Sequence, residues 1–194
     1  MNLCVLASGK GSDLRAIYKA AKLRLIKSRI RIVISNNSKS GALKFSKQNN
    51  IPHYHLSQKL FNTESEFINE FLKLMKKYNI EMIVLAGYMK LLSPVIIRKY
   101  RNKIINVHPA LLPAFGGKGM YGMNVHKAIV ENKEKETGIT IHFVNENYDE
   151  GNIIFQKKVT VLITDTPEVV AEKIHELEQQ YFPSIVEEVL NSKS

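Results

Sequence analysis

A single cysteine, only three aspartates and no apolar run longer than eight residues mark this chain of 194 residues by what it lacks. With Cys4 alone, neither an intrachain disulfide nor a multi-cysteine zinc site can form, and a reducing, cytoplasmic setting is expected. The longest apolar run, Met82 to Met89, falls well short of the roughly 20 residues a membrane-spanning helix needs, so no membrane partner is expected. Leu3-Cys4-Val5-Leu6 is too brief for a signal-peptide core and has no basic segment before it, so it reads as a first strand. The scarce aspartates, Asp13, Asp149 and Asp165, draw attention to where they sit.

What is plentiful is lysine, isoleucine and asparagine, at 22, 21 and 16 residues, the bias of an AT-rich genome, which accounts for much of the net charge of +10. Codon bias does not explain the distribution. Residues 1–50 carry eleven bases against one acid, whereas residues 131–194 carry six bases against thirteen acids. The basic half should attract an anion. Nucleic acid is not the expected partner, because the Lys and Arg residues form no aromatic-interleaved stripe and no recognition motif. At 44% hydrophobic and 24% charged, with no repeat, low-complexity tract or linker, residues 1–194 read as one globular domain.

Strand and helix signals alternate along the chain. Leu3–Ala7 leads into Ser8-Gly9-Lys10-Gly11-Ser12, after which Leu14, Ile17, Tyr18 and Ala21 recur at helical spacing. A strand over Arg29–Ser35 is followed by a short helix around Ala42 and Phe45, ended by Asn49-Asn50 and Pro52. Phe67, Phe71, Leu74, Met75 and Tyr78 mark a helix of about fourteen residues before a buried strand over Met82–Ala86. Another strand, Ile104–Val107, is stopped by Pro109, and the glycine-rich segment Leu111–Met123 should be loop. Gly138–Val144 and Ile153–Thr160 are expected to pair as an antiparallel hairpin. Thr166 should cap a last long helix that starts at Pro167 and bends at Pro183. The expected class is α/β: a Rossmann-like, mostly parallel sheet flanked by helices, with a C-terminal antiparallel strand pair and a final long helix.

Three places point to chemistry. The Ser8–Asp13 turn joins a strand to a helix, where backbone N–H groups and the positive helix end can hold a phosphate, although a plain turn with Ser12 as cap explains it equally well. Asn106 and His108, two apart at a strand end, share one face at the edge where open α/β sheets bind ligands. The amide offers an N–H to a developing oxyanion and the imidazole moves protons near neutrality, yet polar residues at a strand end usually need no such explanation. Asp149 lies in a polar turn, where a carboxylate is ordinarily solvated. His53 and His55 lack a third ligand at a metal-binding spacing, so no metal is expected, and the facing of His142 on its strand is undecided.

Taken together, Asn106-Val107-His108-Pro109-Ala110-Leu111-Leu112-Pro113, Gly138-Ile139-Thr140-Ile141-His142 and Asp149-Glu150-Gly151 resemble the signature of the folate-dependent formyltransferases. The Ser8–Ser12 turn and Leu85–Pro94 resemble the branch that formylates glycinamide ribonucleotide in purine biosynthesis, and the likeness covers essentially the whole chain. The resemblance implies 10-formyltetrahydrofolate as co-substrate, glycinamide ribonucleotide as acceptor, and a monomer or homodimer. It implies catalytic roles for Asn106 (oxyanion donor), His108 (proton shuttle) and Asp149, which would raise the imidazole pKa. Gly11, Ser12, Asp13 and Glu178 would bind the ribonucleotide. Met89, Lys90, Leu91, Leu92, Asn106, Asn145 and Tyr148 would receive the folate. Three features depart from the pattern: Asp13 replaces an asparagine, Glu64 stands where a base is expected near the folate tail, and the loop Phe115–Met123 is longer. A branch acting on methionyl-tRNA would carry an Arg-Gly-Ala-Ala-Pro stretch where this chain has Phe115-Gly116-Gly117-Lys118, and a further C-terminal domain.

Overall fold

A computed structural model describes residues 1–191. Its framework is one seven-stranded sheet built from β1 (Asn2–Leu6), β2 (Arg29–Ser35), β3 (His53–His55), β4 (Met82–Leu85), β5 (Ile104–His108), β6 (Glu136–Phe143) and β7 (Ile153–Thr160). The spatial order is β3-β2-β1-β4-β5-β6-β7. The first five strands pair in parallel, and β6 and β7 run antiparallel to their neighbours, as the sequence pattern indicates. Six helices cover the sheet: α1 (Ser12–Lys22), α2 (Gly41–Gln48), α3 (Glu64–Lys77), α4 (Pro94–Lys99), α5 (Met123–Glu131) and α6 (Pro167–Asn191).

Alternation along the buried strands sends neighbouring side chains to opposite faces. Leu3 and Val5 join the layer formed with Leu14 and Ile17 of α1 and Ile174 and Phe182 of α6. Cys4 and Leu6 join the opposite layer, under Phe67, Phe71 and Leu74 of α3 and Ile96 of α4. Among the described residues no helix is long and apolar enough to cross a membrane.

Several details differ from the pattern-based reading. Strand β3 spans only three residues and α4 only six, too short for periodicity to register. Helix α5 begins at Met123, at the end of the segment read as loop, and its buried stripe is only Val125, His126 and Ile129. Thr166 does cap α6, its Oγ1 accepting the Val169 N–H at 3.4 Å. That helix includes Pro183 and continues to Asn191, with Phe182, Ile185, Val186 and Val189 around the proline in the core. The single-domain reading over 1–194 reaches past the described residues at its last three positions.

Strand order reverses between β1 and β4, so the chain leaving one turns away from the chain leaving the other and opens a crevice at their carboxyl ends. Ser8 ties the two exits together. Its N–H donates to the Gly87 carbonyl at 3.0 Å and its Oγ accepts the Met89 N–H at 2.9 Å. The same hydroxyl donates to Asn36 Oδ1 at 2.6 Å, bringing in the end of β2.

Candidate active site

Strand β5 lies next to β4, and its last residues project at this same edge. Antiparallel register sets Asn106 opposite His142 and His108 opposite Thr140. Side chains on one face therefore meet across the two strands, and the turn after β6 folds Asp149 over them. Asp149 adopts φ +56°, a left-handed conformation in which a turn aspartate is tolerated.

Asp149 touches all of its polar neighbours. Its Oδ2 lies 3.5 Å from His108 Nδ1 and accepts the Gly117 N–H at 3.0 Å. Its Oδ1 lies 3.6 Å from His142 Nε2 and 3.5 Å from Asn106 Nδ2. Burial alone would raise the Asp149 carboxyl, but the His142 contact, the His108 charge and the Gly117 N–H outweigh it and hold the pKa below the ordinary carboxylate value. Asp149 is therefore an anion rather than a bystander of the turn.

Tautomers follow from the partners. His142 Nδ1 donates to its neighbour's carbonyl, Phe143 O, at 2.8 Å, and Nε2 lies 3.1 Å from Asn106 Nδ2 on the side that faces Asp149 Oδ1. The amide nitrogen of Asn106 thus points toward Asp149, and its long contact to Oδ1 is the one an incoming oxyanion can replace. The His108 Nε2–H donates to the Phe115 carbonyl at 2.8 Å, so Nδ1, facing Asp149, is the atom that gains and loses a proton.

His108 is 3% exposed, and burial lowers its pKa below that of a free imidazole despite the opposing pull of Asp149 and the Phe115 carbonyl. The expectation that Asp149 raises this pKa is right for its own contribution and wrong for the balance, because dehydrating the ring outweighs the carboxylate. The resting ring is mainly neutral at physiological pH. His126 of α5 is also buried, its Nδ1 without a hydrogen bond, and burial and the His108 charge lower its pKa.

The start of the loop that supplies the Phe115 carbonyl and the Gly117 N–H is fastened by the Thr140 hydroxyl. Fully buried Thr140 donates to the Ala110 carbonyl at 2.7 Å and accepts the Leu112 N–H at 3.0 Å and Gln156 Nε2 at 2.9 Å. Gln156 also donates to the Leu112 carbonyl at 3.0 Å.

Across the crevice stands the Ser8–Ser12 turn. Gly11 caps α1 at φ +77°, and a Cβ there would stand 2.9 Å from the Ala42 Cα, so this glycine lets the turn close against α2. Ser12 is half-buried and Asp13 buried. Burial and the charge of Glu178 push the Asp13 carboxyl well above its usual range. A cavity of about 500 Å³ opens beside the turn, lined by Lys10, Ser12, Arg15, Lys19 and His175. It is a basic hollow, as the charge distribution indicates.

The segment expected to receive the folate is tied to the turn through the Met89 N–H on Ser8 Oγ. Met89, Lys90 and Leu91 are exposed, Asn145 is half-buried, and Tyr148 is exposed. Leu92 belongs to the core at 3% exposure and can offer only its backbone. Glu64 is exposed at the start of α3. Pattern reading left His142 undecided because both sheet faces are covered, so burial could not orient it. Its signal was the pairing of β5 with β6.

The Formyl transferase family profile matches residues 1–186. The chain belongs to the formyl transferase family. Similar family members include the phosphoribosylglycinamide formyltransferase of Escherichia coli (strain K12), 32% identical over 96% of this chain and 85% of that protein. The chloroplastic phosphoribosylglycinamide formyltransferase of Vigna unguiculata is 37% identical over 95% of this chain. The chain spans 59% of that relative's length and 63% of its Arabidopsis thaliana counterpart's. A crystal structure of phosphoribosylglycinamide formyltransferase from Bacillus halodurans superposes with a TM-score of 0.91 at 29% identity, over 100% of this chain and 97% of that one.

Proposed function

We propose that the chain transfers the formyl group of 10-formyltetrahydrofolate to the amine of glycinamide ribonucleotide, as a single domain in the cytoplasm. The observation that carries this reading is the closed network of Asn106, His108, His142 and Asp149 at the sheet edge, facing a basic turn across the crevice. The names of the relatives supply the acceptor and the group transferred, and the sequence resemblance supplies the folate donor. The phosphate meets the backbone N–H groups from Gly11 to Asp13 and the positive end of α1, with Glu178 on the ribonucleotide. The pterin lies against Met89 and Leu91, apolar side chains left 42% and 43% exposed, with Lys90, the Leu92 backbone, Asn145 and Tyr148 around it.

In the reaction the acceptor nitrogen attacks the formyl carbon, a C–N bond forms, and the carbonyl electron pair moves onto oxygen. The Asn106 amide N–H donates to that oxyanion. His108 Nδ1 takes the proton of the attacking amine, and Asp149 stabilises the imidazolium so formed. The oxyanion then collapses, the bond from carbon to N10 breaks, and His108 returns the proton to N10. A ring that rests neutral suits this order, since it must accept before it donates. The acceptor is tested by supplying 10-formyltetrahydrofolate with glycinamide ribonucleotide, with methionyl-tRNA or with water alone. Formylated glycinamide ribonucleotide is the expected product, and turnover confined to either of the other two would refute the assignment.

A further inference from the structure

We propose that Asp13, His175 and Glu178 bind a divalent transition-metal cation of the Zn²⁺ or Mn²⁺ class at the start of α1. Each residue offers one ligand atom, and the three atoms lie within 4.8 Å of one another. Asp13 sits in the first turn of α1, while His175 and Glu178 stand one turn apart on α6, which packs against it. His175 Nδ1 and Glu178 Oε2 are 3.6 Å apart, close to the edge of about 3.3–3.5 Å that a tetrahedral site with metal bonds of about 2.0–2.1 Å requires.

A second observation points to a missing ligand. Asp13 is 5% exposed, and its Oδ1 is buried without a hydrogen-bond partner. A buried carboxyl oxygen without a partner, in a cluster that holds a second acid, is costly, and a cation between the two acids removes that cost. Arg15 does not serve, because its guanidinium stacks on the Phe45 ring at 4.4 Å. One imidazole with two carboxylates favours zinc or manganese over magnesium, which prefers all-oxygen surroundings and keeps its water. The other His175 nitrogen lies 2.7 Å from the Gln179 side-chain amide. The amide nitrogen faces the ring, so ligation through Nδ1 requires the amide to turn its oxygen to the Nε2–H, which is then the outer support a ligating histidine generally has. The cavity beside His175 has room for the waters that complete the coordination. Asp13 lies more than 160 positions from His175 and Glu178 in sequence, which is why spacing alone gave no metal motif.

The site shares Asp13 and Glu178 with the proposed ribonucleotide pocket, so it is read on the free chain without substrates. Chelator-dialysed protein is titrated with ZnCl₂, MnCl₂ and MgCl₂ by calorimetry, with Mn²⁺ also followed by electron paramagnetic resonance. One equivalent of Zn²⁺ or Mn²⁺ should bind, with Mg²⁺ much weaker. His175→Gln, at a half-exposed position, and Asp13→Asn should each weaken binding at least about tenfold with an unchanged circular dichroism spectrum. Two results overturn the proposal: no saturable binding of Zn²⁺ or Mn²⁺, or binding that both variants leave intact; in the first case a thermal stabilisation by Asp13→Asn would mean that the two acids share a proton instead.

Discussion

Asp149 settles two different demands at once. As an anion it favours the charged form of His108, and as an acceptor it holds Gly117 and, through it, the loop over the site. Asp149→Asn keeps shape and most hydrogen bonding but removes the charge, so the His108 pKa, already lowered by burial, should fall further. An NMR titration of the ring is the check, and a value that stays or rises would remove Asp149 from the mechanism. Asn106 carries a separate load. Asn106→Ala should leave both substrate affinities near parental and lower kcat by roughly 10²–10³, the usual cost of one oxyanion donor. Equilibrium binding measured beside turnover separates that outcome from a collapsed site.

At the scale of elements, the pairing of β5 with β6 converts a strand-end motif into a site. Thr140 is its main fastener, since its hydroxyl is saturated by the Ala110 carbonyl, the Leu112 N–H and Gln156. Thr140→Val should orphan buried donors at about 1–3 kcal/mol each, read as a lower denaturant midpoint. It should also depress kcat by loosening the Phe115 carbonyl and Gly117 N–H. Gly11→Ala should behave differently: with a left-handed φ and the Ala42 backbone 2.9 Å away, the added methyl strains the junction of α1 with α2. Its expected signature is a stability loss of about 1–3 kcal/mol, measured by thermal melting, rather than a selective change in the ribonucleotide KM. The long elements were readable because their apolar residues repeat over several turns or pleats, as in α3 and β2. Strand β3, α4 and α5 were not, since each is too short or too sparsely apolar to carry a period. The site was readable in pieces. Asn106, His108 and Asp149 were singled out, but the place of His142 and the pull of burial on His108 depend on which strand lies opposite, which no local pattern records.

For the whole molecule, buried histidines set an acid limit. His108 and His126 both have pKa values below that of an exposed imidazole, so the unfolded chain takes up protons first as pH falls. The stability they contribute is complete above about pH 6.5 and is lost as pH drops through their lowered folded-state values. His126→Leu removes one of the two groups. Between about pH 6.5 and 5 its unfolding free energy should decline less steeply than the parent's, by up to about 1.4 kcal/mol per pH unit. Matching urea titrations across that range check the difference, and identical slopes would show that His126 is not titrating on unfolding. The charge halves seen in the sequence serve the same molecule-wide design: the basic N-terminal portion lines the hollow at the Ser8–Ser12 turn, and the acidic C-terminal portion supplies Asp149 and Glu178. The central claim, that these parts form one formyl-transfer site, is tested most directly by the rate at which the chain consumes 10-formyltetrahydrofolate with glycinamide ribonucleotide present, in the parent and in Asp149→Asn. Robust turnover in the parent and a large loss in the folded variant are predicted; parental turnover in Asp149→Asn, or none in the parent, would contradict the account.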